Sequence, residues 1–106
     1  MSGGWLRGRL GDPSEAPATG ERIDRLIAAG HVVVEQIRSG ALEAPADYEQ
    51  EQDEWVVLLA GRARLVIDGE PVELTSGEWL FLPAGLPHRL VETEPGTNWL
   101  AVYLGR

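Results

Sequence analysis

A chain of 106 residues carries one domain with a single buried core. Its formal net charge is −8, it is acidic, and it contains no lysine. This composition excludes nucleic acid, whose phosphates need clustered cations, and disfavours an anionic membrane surface. There is also no cysteine, which rules out disulfides, thiolate metal sites and a thiol nucleophile.

Residues 1–20, "MSGGWLRGRLGDPSEAPATG", are rich in Gly, Pro, Ser and Ala and suit a loose arm. Trp5 and Leu6 are apolar residues there that a domain face or a second subunit could cover. In "ERIDRLIAAG" the apolar positions 23, 26 and 27 have helical spacing and a glycine follows, which predicts one short helix. From residue 31 the texture changes. "HVVVEQIRSG", "EWVVLLAG", "RARLVIDGEPVEL", "EWLFLPAG", "HRLVETEPG" and "TNWLAVYLG" read as short strands, with a hairpin at Asp68-Gly69. Such a series describes an all-β sandwich or barrel. The division expected is an N-terminal arm over 1–30 and a barrel domain over 31–106. No charged segment followed by an apolar one opens the chain, and no apolar run reaches the roughly 18 residues of a spanning helix. A cytoplasmic location is the expectation.

Strand parity then places the chemistry. Alternation puts His88, Leu90 and Glu92 on one face and groups Gln50, Gln52 and Glu54 on another. Arg62 and Arg64 face solvent, which turns Ala63, Leu65 and Ile67 inward. Glu54 lies in an acidic stretch but shares parity with Val56 and Leu58, so it is expected to line the interior, while Glu51 and Asp53 face water. Arg89 has the opposite parity to His88 and should form a surface ion pair. The four tryptophans are read as packing residues. There is no G-x-S-x-G elbow, P-loop or G-x-G-x-x-G, and without lysine there is no Schiff-base chemistry.

From Gly77, "GEWLFLPAGLPHRLVE" reads G-x5-P-x-G-x2-H-x3-E, and "EWVVLLAG" supplies E-x6-G with fifteen residues between Gly61 and Gly77. These strings resemble the second motif and the tail of the first motif of the cupins. The resemblance implies a small antiparallel jelly-roll barrel, with His88 carried into it after a turn at Pro83 and Gly85. The family's first motif, H-x-H-x3-4-E, is altered: Tyr48 and Gln50 stand at its histidine positions. By resemblance, the metal positions are Gln50, Glu54 and His88, a set able to hold Zn, Mn, Ni or Fe weakly. Tyr48 and Glu92 are expected to contact a ligand. His31 is the only other imidazole, and nothing places it in the pocket. The favoured expectation is a small cupin whose pocket binds a divalent metal, a small molecule or both, without a defined reaction. Two alternatives stand beside it: a non-redox isomerase or lyase using Glu54 and His88 as acid and base, and a metal-free dimeric scaffold. The resemblance also implies a homodimer.

Overall fold

The computed structural model describes residues 4–105, and among them there is no helix beyond one 3-10 turn at Pro13–Glu15. Nine strands follow: β1 (Glu21–Ala29), β2 (Val32–Ser39), β3 (Ala46–Tyr48), β4 (Asp53–Ala60), β5 (Arg62–Ile67), β6 (Glu70–Thr75), β7 (Trp79–Leu82), β8 (His88–Thr93) and β9 (Thr97–Leu104). They form a five-stranded sheet in the order β1-β2-β9-β4-β7 and a four-stranded sheet in the order β3-β8-β5-β6. Every pairing is antiparallel. The two inner faces enclose Val56, Leu58, Ala63, Leu65, Leu74, Leu90, Trp99 and Ala101. This is the jelly-roll barrel expected from the sequence.

The expected alternation holds on the strands that make the core. Ala63 and Leu65 are buried while Arg62 and Arg64 are exposed, and Asp68 and Gly69 both take positive φ in a two-residue hairpin joining Ile67 to Glu70. Gly61 has a stricter task. At φ +98° it turns β4 into β5, and a Cβ there would lie 2.4 Å from Thr97 Oγ1.

The expected short helix is not formed. Residues 21–29 are strand β1, paired with β2 from Glu21↔Ser39 to Ala29↔Val32. A bulge between Arg25 and Ile27 leaves Leu26 unpaired, so the side chains after it change face. Strand alternation interrupted by one extra residue imitates the three-to-four spacing of a helix. Pairing along the whole of β2 then overrides the weak local propensity.

The preceding chain lies against the sheet. Gln36 accepts a hydrogen bond from the Gly11 amide (2.8 Å) and donates one to its carbonyl (2.9 Å). The buried Arg38 donates to the Asp12 carbonyl (3.2 Å) and pairs with Asp24 (2.5 Å). Trp5 and Leu6 remain exposed. Among the described residues no helix is long and apolar enough to cross a membrane.

Candidate functional site

One end of the barrel, between the sheets, holds a cavity of about 120 Å³. Its apolar wall comes from Ile23, Ile37, Val56, Leu65, Leu82, Leu90 and Trp99; Glu21, Tyr48, Gln50, Glu54, His88 and Tyr103 supply the polar groups.

His88 arrives there because of the turn before it. β7 ends at Leu82, Pro83 cannot continue a ladder, and Gly85 at φ +78° reverses the chain. The Leu86 amide closes the turn on the Pro83 carbonyl (3.2 Å). Two further bonds tie the turn to the other rim loop: the Gly85 amide donates to the Gln50 carbonyl (2.8 Å), and the Ala84 amide donates to Asp53 Oδ1 (2.8 Å). His88 then opens β8 opposite Tyr48 on β3, with the two rings stacked at 5.6 Å between centroids. It is only 8% exposed. Its Nδ1 lies 3.1 Å from the Leu86 carbonyl, which can only accept, so Nδ1 carries the proton in the neutral ring and Nε2 is left as an acceptor. Among the described residues Nε2 has no hydrogen-bond partner.

Glu54 comes from the facing sheet, on β4 opposite Leu82 and Tyr103. It is 7% exposed. The Gln50 amide nitrogen donates to its Oε1 at 2.7 Å. Burial raises the Glu54 carboxyl above its ordinary value of 4.5, with Gln50 and His88 partly opposing the rise. Folded Glu54 therefore holds its proton to higher pH than in the unfolded chain. The stability associated with the raised carboxyl is complete below about pH 4.5 and is lost as pH rises through the folded value. Glu54→Gln is accordingly expected to gain stability relative to the wild type at neutral pH, and the gain should shrink toward acid. Urea midpoints for the two proteins across that range check this; a difference that does not vary with pH contradicts it.

A second polar chain runs from the core to the mouth. Trp99 Nε1 donates to Ser39 Oγ (3.1 Å), Ser39 donates to Glu21 Oε2 (2.8 Å), and the Tyr48 hydroxyl donates to Glu21 Oε1 (3.2 Å). Burial raises the Tyr48 phenol to about 12, assisted by Glu21 and Glu54. Burial raises that of Tyr103 as well, with Glu54, Glu35 and Glu21 adding to it.

The residues selected from sequence divide as follows. Tyr48, Gln50, Glu54 and His88 meet in the cavity. Glu92 does not: the β5–β8 register passes from Arg64↔Glu92 to Leu65↔Leu90, so Val91 is an extra residue. Beyond this bulge the faces exchange, leaving Glu92 exposed and Thr93 buried. Gln52 is exposed because the chain is not a strand over residues 49–52 and bends at 51–52. His31 sits in the turn between β1 and β2, away from the cavity. Arg89 does form its surface pair, with Asp47 at 2.7 Å. Asp53 caps the rim turn rather than simply facing water. Of the tryptophans, Trp99 is core, whereas Trp79 stands 60% exposed beside Trp55, their ring centroids 6.2 Å apart. Sequence reasoning missed Glu21 and Tyr103. Tyr103 shares the parity of Trp99 and Ala101, a signal that was present; Glu21 becomes legible only once β1 is a strand.

Two antiparallel sheets closed over a polar-ended cavity define a small jelly-roll barrel, and the comparisons name its family. The cupin domain family model matches residues 33–103. The chain belongs to the cupins. A Ralstonia eutropha JMP134 protein provisionally named a mannose-6-phosphate isomerase is 30% identical to it, with a TM-score of 0.80 over 93% of this chain and 100% of that one. A cupin superfamily protein from Desulfitobacterium hafniense DCB-2 is 17% identical at TM-score 0.74, covering 95% of this chain and 94% of its own. KdgF from a Halomonas species is 16% identical at TM-score 0.69, covering 82% of each chain. No curated protein matches.

Proposed function

We propose that this cupin binds a small organic molecule in the barrel cavity, with Glu54 and His88 as its polar anchors. One observation carries the reading. Two side chains more than nine-tenths buried, from opposite sheets, line the same largely apolar space, and the bonds they make within the chain run through Glu54 Oε1 and His88 Nδ1. An apolar cavity with a few convergent polar groups is the usual form of a small-molecule site. Nitrogen-resolved NMR of the His88 ring during a screen of metabolite-sized fragments tests it. Binders should shift the His88 resonances and lose their effect in Glu54→Gln or His88→Ala variants that retain the fold. Binders that shift only residues outside the cavity would count against the reading.

The resemblance also brings a divalent ion into question. Its ligands would be His88 Nε2, Glu54 and the Gln50 amide, and the amide presents its nitrogen, not its oxygen, to Glu54. Among the described residues no three His, Cys, Asp or Glu side chains group to hold an ion. One imidazole and one carboxylate do not fit a firmly resident metal, and no chemical step is assigned to one. Chelator is expected to change the thermal midpoint by less than about 1 °C. Near-stoichiometric metal in protein purified without chelator or nickel resin would overturn that expectation.

The pair also supports an acid–base reading, in which Glu54 donates one proton and His88 Nε2 accepts another, as an isomerase or lyase requires. The name of the Ralstonia protein favours this class. A sugar phosphate is a poor candidate for the substrate, because no arginine lines the cavity and the chain has no lysine. Turnover on a candidate substrate should vanish in Glu54→Gln.

We also propose a homodimer through the outer face of the five-stranded sheet. Phe81, Trp55, Val102, Val34 and Ile27 form one apolar row across all five strands, a span of about 19 Å. In a chain of net charge −8, this uncharged row is where two copies meet without repulsion. Light scattering should give a dimer, and a Trp79→Glu, Phe81→Glu variant a folded monomer. A monomeric wild type, or a dimeric variant, refutes the arrangement.

A further inference from the structure

The cavity has a one-sided chemistry that points to the kind of molecule it takes. We infer that its ligand is a compact organic cation bearing N–H donors, of the primary alkylammonium class, and this rests on the pocket reading above.

The polar lining is rich in acceptors, and the Gln50 amide nitrogen, which can only donate, is engaged with Glu54. His88 Nε2 accepts because Nδ1 is committed to the Leu86 carbonyl. Glu54 keeps one oxygen unengaged, and Glu21 contributes a second carboxylate already turned toward the mouth by Ser39 and Tyr48. The Tyr103 hydroxyl, which can accept or donate, lines the same space. A ligand that brings donors meets two carboxylates and an imidazole nitrogen able to accept them, and an ammonium group brings three.

Charge gives the same answer. Two carboxylates line the cavity, and neither an arginine nor a lysine does. An anionic ligand would meet two negative groups and no permanent cation. A cation supplies the charge that the buried Glu54 carboxylate lacks, and a buried charge is tolerated only when paired.

The walls suit the rest of such a molecule. Trp99, Tyr48 and Tyr103 offer aromatic surface on which a cation is favoured over a neutral group. Isoleucine, valine and leucine side chains complete the lining and suit a short branched alkyl body. About 120 Å³ leaves room for a small molecule and none for a polymer.

The test compares three probes of one carbon skeleton at neutral pH by calorimetry and His88 NMR: 3-methylbutylammonium, 3-methyl-1-butanol and 3-methylbutanoate. The ammonium is expected to bind at least about tenfold more tightly than the alcohol, and the carboxylate not to bind. Glu54→Gln and, independently, Glu21→Gln should weaken the ammonium several-fold and leave the alcohol nearly unchanged. If the alcohol or the carboxylate matches the ammonium while shifting His88, the cavity is a binding site but the cationic class is wrong. Ammonium binding that leaves His88 unmoved would reflect the acidic surface, and it too overturns the inference. If none of the three shifts His88, both the inference and the reading beneath it fail.

Discussion

Replacing Gly61 with alanine is expected to lower the midpoint of thermal unfolding by about 10–20 °C, the equivalent of about 2–4 kcal/mol in a domain of this size. Two penalties combine. At φ +98° an L-residue is strained by its own backbone, at about 1–2 kcal/mol. The added Cβ would also stand 2.4 Å from Thr97 Oγ1 and 2.7 Å from Thr97 Cα. Thr97 cannot retreat. It is fully buried, and its hydroxyl donates to the Glu94 carbonyl (2.6 Å) and accepts from the Arg62 amide (3.3 Å). Gly69→Ala is the control: φ is again positive, at +80°, but nothing lies within 4 Å. It should cost only the backbone share, about 1–2 kcal/mol. Equal losses at both positions, measured by calorimetry, would show that crowding against Thr97 contributes nothing.

Trp99→Ala should cost about 3–5 kcal/mol, a large part of what holds a domain of this length together. The indole is 4% exposed and packs in the core cluster. Its removal leaves a void between the sheets and withdraws the donor from Ser39, itself fully buried. Trp99→Phe separates the two effects. It keeps much of the volume and loses the hydrogen bond, so about 1–3 kcal/mol is expected. Guanidinium unfolding followed by far-ultraviolet circular dichroism gives both values. An alanine variant within 1 kcal/mol of the wild type would place the ring outside the structural core.

Most of the barrel was legible because its strands are short and closed by glycine or proline, which mark turns whatever their tertiary setting. The Asp68-Gly69 hairpin, the alternation of β5 and the turn before His88 are cases where local chemistry suffices. Bulges defeated the reading. The extra residue Leu26 made a strand resemble a helix, and the extra residue Val91 moved Glu92 to the surface, because one inserted residue inverts every later position on a strand. The site was half visible for a different reason. Gln50, Glu54 and His88 lie within motif spacings, whereas Glu21 and Tyr103 reach the same cavity from β1 and β9, at opposite ends of the described chain. Only the pairing of both strands with β2, which lies between them, brings these two together.

The bonds from Gly85 to Gln50 and from Ala84 to Asp53 fasten the two rim loops to one another. Each loop also steadies one of the anchors: Gln50 holds Glu54, and the Leu86 carbonyl sets the tautomer of His88. The two loops beside the cavity are therefore fastened into one unit. A substitution that loosens either loop would therefore be felt at both Glu54 and His88.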